Sequence, residues 1–223
     1  VSKLIVLLVI AAGLGLWPCI IPANELRGGF PDDKSVGLDH GQFRGSHFVA
    51  EKLACVVQIT GFDIRWKSFP TNRLLSMAAK LQLDFIYPMG FSDQRDKFLS
   101  KSEYVFLSED QFVYKRPKPD FSDTARVHIG ARLGSPQMSV LIDRGFRNIE
   151  VGNSYDALLK MLNAGRVDAV VMPDKVLEMF AAPVIKTFET EDFYQRQIGF
   201  YVGKDWPPDQ LVALNAAIVR CRD

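Results

Sequence analysis

Between Ser46 and Gln58 the apolar positions Phe48, Val49, Leu53, Val56 and Val57 recur at helical spacing, and Gly61 ends the pattern, so a helix is predicted there. The next residues, Phe62-Asp63-Ile64-Arg65-Trp66, alternate apolar with charged side chains as a half-buried strand does, and Pro70 closes the run. Leu74, Leu75, Ala78, Ala79 and Leu81 form a second amphipathic stretch, followed at once by a short apolar run over residues 83–87. Strand, helix, strand is the unit from which parallel sheets are built.

The same order returns later in the chain. Residues 127–131 read as a strand, Gly134-Ser135-Pro136 as a turn opening a helix over 137–144, and residues 149–151 as the next strand. Ser154 suits the N-cap of a helix over 155–164, Gly165 sits where a C-terminal glycine belongs, and residues 167–172 form another apolar strand. Two α/β units predict two lobes, with the polar, proline-rich Lys115-Arg116-Pro117-Lys118-Pro119 as a link between them. A last helix over 208–221 places Leu211, Leu214, Ala217 and Ile218 on one face and is expected to return to the first lobe.

Ahead of these units, Lys3 precedes an uncharged apolar run over residues 4–16, the arrangement of a signal-peptide core, so residues 1–18 are read as a leader and the protein as periplasmic or otherwise extracytoplasmic. A buried first strand and a membrane anchor are the alternatives, the anchor disfavoured by Pro18. In an oxidising compartment the distant Cys55 and Cys221 are expected to pair, tying the last helix to an early one, while Cys19 is left over. Leu16-Trp17-Pro18-Cys19 is similar to a bacterial lipoprotein signal in its Leu and Cys, which makes a lipid on Cys19 the one expected membrane contact. Twenty-seven Lys and Arg against 26 Asp and Glu give no basic footprint, so no nucleic-acid partner is expected. The cysteines lack metal-ligand spacing, and His40, His47 and His128 form no zinc motif, so no metal and no cofactor are expected.

Three stretches carry a resemblance. Phe69-Pro70-Thr71-Asn72-Arg73 with residues 81–95, then residues 127–135, then residues 162–171 resemble, in order and spacing, the signatures of the family 3 extracellular solute-binding proteins. The resemblance spans roughly residues 60–203 and implies an α/β type II periplasmic-binding-protein fold, two lobes joined by two hinge crossovers, closing on a ligand. On that basis lobe 1 is expected over 19–112, lobe 2 over 113–194, and a return to lobe 1 over 195–223.

The resemblance also implies roles for particular residues. Arg95 matches the arginine that clamps a ligand carboxylate with its planar fork of donors, and Ser92 matches a hydroxyl able to donate to the same group. Gly90 stands where amino-acid binders often have serine, leaving backbone contact only. Gly134 and Ser135 open a helix whose unpaired N–H groups suit the same anion. Arg73 matches a frequent arginine and is a second anion-binding candidate. The position of the acid that neutralises a ligand's amino group is held by Pro173, with Asp174 one residue later, and Thr71 replaces a stacking aromatic, for which Phe69, Phe91, Trp66 or Tyr87 could substitute. The expected function is therefore extracytoplasmic binding of a small carboxylated or otherwise anionic solute, with an ABC-transporter permease as the implied partner. A periplasmic dehydratase-like enzyme and a ligand-sensing module are the alternatives that the same fold allows.

Overall fold

The computed structural model describes residues 25–32, 37–39, 42–180 and 186–222. The leader, Cys19 and its lipidation, His40 and the expected start of lobe 1 at residue 19 lie outside them. Ten strands and seven helices follow in the described chain: β1 (Leu26–Pro31), β2 (Gly37–Asp39), β3 (Gln42–Arg44), α1 (His47–Thr60), β4 (Ile64–Phe69), α2 (Thr71–Ala79), β5 (Phe85–Gly90), α3 (Asp93–Asp96), β6 (Leu99–Tyr114), β7 (His128–Arg132), α4 (Pro136–Asp143), β8 (Asn148–Gly152), α5 (Tyr155–Asn163), β9 (Ala169–Pro173), α6 (Asp174–Leu177), β10 (Glu189–Gly203) and α7 (Pro208–Arg222).

Eight of the strands join in the order β4-β1-β5-β10-β6-β9-β7-β8. The two flanks are parallel, β4-β1-β5 on one side and β9-β7-β8 on the other, as their helical crossovers require. Between them β6 and β10 run antiparallel along their length, from Gly203 opposite Leu99 to Glu189 opposite Tyr114. One end of each strand belongs to the first lobe and the other to the second, so these are the two crossovers. The expected lobe limits at 112/113 and 194/195 fall within them. The polar stretch 115–119 is not the link: it follows β6 and lies on the second lobe beside Leu162 and Val167, because a sixteen-residue strand already makes the crossing.

Each lobe is a sheet with helices on both faces. In the first, α1 and α7 cover one face through Val49, Leu53, Val56, Leu214, Ala217 and Ile218, while α2 covers the other through Leu74, Leu75 and Ala78. In the second, Leu141 of α4 packs with Ile129 and Val171, and Leu158, Leu159 and Leu162 of α5 pack with Val170 and Met172. Local chemistry sets the helix ends. Ser46 Oγ accepts from the Val49 amide at 3.3 Å, and Ser154 Oγ from the Ala157 amide at 3.2 Å. Gly61 adopts φ 67° and donates to the Val57 carbonyl. Cys55 and Cys221 are bonded, with Cα atoms 5.9 Å apart, and Lys52 Nζ caps the end of α7 by donating to the carbonyls of Cys221 and Arg222 at 2.7 and 3.0 Å. No described helix is long and apolar enough to cross a membrane.

Candidate functional site: the cleft between the lobes

The C-terminal ends of parallel strands face each other across the crossovers, and the cleft there has a cavity volume of about 110 Å³, room for a small molecule of few atoms. Among the described residues four cations line it, Arg95, Arg132, Lys175 and Arg196, and no carboxylate does.

Arg95 is placed by a short local fold. Ser92 is extended, α3 turns immediately after it, and the Tyr201 hydroxyl holds the turn by donating to Asp96 Oδ1 at 2.7 Å while accepting from the Ser92 amide at 3.0 Å. The guanidinium is thereby carried into the interface, where Nη1 donates to the Gly90 carbonyl at 2.7 Å and Nη2 to the Gly134 carbonyl of the other lobe at 2.9 Å. The residue is only 5% exposed. Burial lowers its pKa to about 10, the charges of Arg196 and Arg132 adding to that and the tyrosines Tyr201 and Tyr155 opposing it, so it remains a cation at neutral pH.

Beside it lies a buried ion pair on the crossovers themselves. Arg196 of β10 grips Asp110 of β6 in a bidentate contact, Nε to Oδ2 at 2.5 Å and Nη2 to Oδ1 at 3.0 Å. Gln137 of α4 donates Nε2 to Asp110 Oδ1 at 2.9 Å and to the Tyr155 hydroxyl at 3.4 Å. Asp110 is fully buried, and this desolvation raises its carboxyl above the usual range against the pull of Arg196 and Gln137. A further bridge between lobes runs from Arg132 Nη2 to Thr71 Oγ1 at 3.3 Å, with the Arg132 guanidinium 5.3 Å from the Tyr155 ring centre.

Of the residues singled out in the sequence, Arg95, Gly90, Ser135 and Pro173 line the cleft. Gly134 enters through its carbonyl, which faces Arg95. Ser135 precedes α4, but its side chain caps nothing, its amide donates to the Arg132 carbonyl at 3.1 Å, and Pro136 after it has no N–H. Ser92 borders a neighbouring groove instead. Arg73 is exposed and lies over the Phe69 ring at 4.9 Å. Asp174 begins α6 and is outside the lining, its Oδ1 accepting from Ser108 Oγ at 2.9 Å and its Oδ2 3.3 Å from Lys175 Nζ. Trp66 and Tyr87 are core residues, and Phe69 and Phe91 pack on the α2 side, so none of the four aromatics lines the cleft; Phe106 and Tyr155 do.

Gly90 has a role the sequence did not suggest. A Cβ there would stand 2.0 Å from Arg196 Nη1, so glycine makes room for the second guanidinium. Gly90→Ser is expected to lower stability by about 1–3 kcal/mol, as overpacking at a filled site does. Urea denaturation of the variant reads this directly, and an unchanged midpoint would mean that Arg196 moves aside freely. Asp110, Gln137, Arg196, Arg132 and Lys175 were missed in the sequence because each is a single polar residue in an otherwise ordinary element. The nearest signal was an acid and an arginine inside strands rich in buried residues, which calls for a partner.

No protein-family model matches the chain, and no curated protein matches it. Solved structures do. A histidine kinase sensor domain with similarity to periplasmic binding proteins superposes with a TM-score of 0.76 at 13% identity, covering 89% of this chain and 90% of that one. The arginine-bound arginine-binding protein of T. maritima gives 0.74 at 17%, covering 88% and 95%. The arginine-, lysine-, histidine-binding protein ArtJ of Geobacillus stearothermophilus gives 0.74 at 16%, covering 88% of each. The chain therefore has the two-lobed periplasmic-binding-protein fold of the type II class, as the three sequence stretches implied.

Proposed function

We propose that the protein is an extracytoplasmic solute-binding protein that holds a small carboxylate or similar anion in the cleft between its lobes. The observation that carries this reading is Arg95, a buried guanidinium whose fork reaches the interlobe cleft, in a lining that among the described residues holds four cations and no acid. A buried charge is costly unless paired, and a ligand anion supplies the pair. The arginine-binding protein and ArtJ, which share the fold, take amino acids, but here two acids beside the cleft are already engaged: Asp110 by Arg196, and Asp174 by Ser108 and Lys175. Among the described residues of the lining an ammonium group would find no counter-charge.

Delivery to an ABC-transporter permease is the role we assign to the bound state, by analogy of fold. The likeness to a histidine kinase sensor domain supports a sensing role built on the same binding step. A dehydratase-like reaction needs an acid in the cleft, and the lining offers none among the described residues. A thermal-shift screen of small carboxylates beside their uncharged methyl esters tests the reading, since a ligand that binds only the folded state raises the melting temperature. Carboxylates should raise it and their esters should not; equal shifts from both would remove the anion from the account.

A further inference from the structure

Gln137 is 1% exposed and lines the cleft, and its Oε1 has no hydrogen-bond partner among the described residues. Its orientation is fixed by chemistry: Nε2 faces the Asp110 carboxylate, and turning the amide over would set two acceptors against each other. Oε1 can only accept. Two residues earlier Ser135 Oγ is also buried without a partner among the described residues, and it can donate as well as accept.

We propose that the ligand carries an uncharged hydrogen-bond donor beside its carboxylate, that Gln137 Oε1 receives that donor, and that the protein is accordingly selective for small hydroxy acids. This rests on the anion reading above and deepens it. Arg95 holds the carboxylate, with Ser135 Oγ as a neutral donor from the second lobe. The adjoining substituent then meets an acceptor that carries no charge, among Arg132, Lys175 and Arg196. A hydroxyl satisfies that acceptor. An ammonium brings a positive charge to a neutral acceptor where the lining offers no carboxylate among the described residues, and a plain methylene leaves a buried acceptor unpaired. A site built to hydrogen-bond a hydroxyl discriminates against the analogue lacking it far more strongly than an apolar pocket discriminates between sizes.

Isothermal titration of the full chain with matched sets tests the inference: acetate, glycolate and glycine; propionate, both lactate enantiomers and alanine; succinate, both malate enantiomers and aspartate. In at least one set the hydroxy acid should bind about 10-fold or more tighter than the deoxy acid, and the amino acid should bind weakest. Gln137→Leu should bring the hydroxy acid to the affinity of the deoxy acid while leaving the latter unchanged. Equal binding of hydroxy and deoxy acids in every set, or tightest binding of an amino acid, overturns the role of Gln137 while the anion reading stands. Failure of all the carboxylates to bind overturns the anion reading and this inference with it. The wild-type series decides the matter even where Gln137→Leu does not fold.

Discussion

Asp110→Ala should lower the stability of the protein by about 3–5 kcal/mol, the cost of breaking a buried ion pair from one side. Asp110 is fully buried and Arg196 is 8% exposed, so neither is screened by solvent. Removing the carboxylate leaves a guanidinium without a counter-charge and takes the acceptor from Gln137 Nε2. The two residues sit on the crossovers, opposite Tyr194 and Ser108 respectively, so the loss falls on the strands that join the lobes. The double variant Asp110→Leu with Arg196→Met should recover most of the loss, because an apolar pair of similar volume can replace a buried ion pair at little cost. Urea denaturation of the two single variants and the double variant forms the cycle. Single variants that each cost less than about 1 kcal/mol would place the pair among solvated surface bridges.

Cys221→Ser should cost about 5 kcal/mol, from the loop-closure entropy returned to the unfolded chain. The bridge to Cys55 spans 166 residues and takes in the second lobe and most of the first, with β1 to β3 outside the loop. A domain is typically stable by only about 5–15 kcal/mol, which makes this a large share. Lys52 remains to hold the carbonyls at the end of α7, and that contact should keep the helix docked in the folded state. Denaturation with and without reducing agent gives the difference. An unfolding curve indifferent to reductant, with both thiols free in non-reducing peptide maps, would count against the bridge.

What could be read in the sequence followed from where periodicity survives. Helix α1 was legible from Phe48, Val49, Leu53 and Val56 because one face packs and the other is wet, and the same holds for Leu158, Leu159 and Leu162 in α5. The first strand was not, since Leu26–Pro31 reads LRGGFP. Its glycines are there for contact: a Cβ at Gly28 would lie 2.7 Å from the Trp66 ring, and one at Gly29 2.6 Å from Leu74 and Leu83. Close approach from both layers erased the alternation. The crossovers β6 and β10 were missed because each passes from one lobe to the other, so Ser102, Ser108 and Asp110 are buried in a strand that also carries Lys101, Glu103 and Glu109.

The cleft divides in the same way. Arg95 was legible through its resemblance to a known signature, and Cys55 with Cys221 through the chemistry of an oxidising compartment. The partners that give the cleft its charge were not, because Asp110, Gln137 and Arg196 come together from β6, α4 and β10, and only the fold makes them neighbours. Gly90, which the resemblance marks as a lost hydroxyl donor, leaves the space that the Arg196 guanidinium occupies.

The central claim is that Arg95 binds the ligand's anionic group. Titration of wild-type protein and Arg95→Met with the small carboxylate that raises the melting temperature most, alongside urea denaturation of both, tests it most directly. The account predicts an affinity loss of about 2 kcal/mol or more, roughly 30-fold, with folding stability changed by less than about 1 kcal/mol. Unchanged affinity in Arg95→Met, or a large loss of stability with binding intact, would make Arg95 a structural clasp between the lobes and contradict the account.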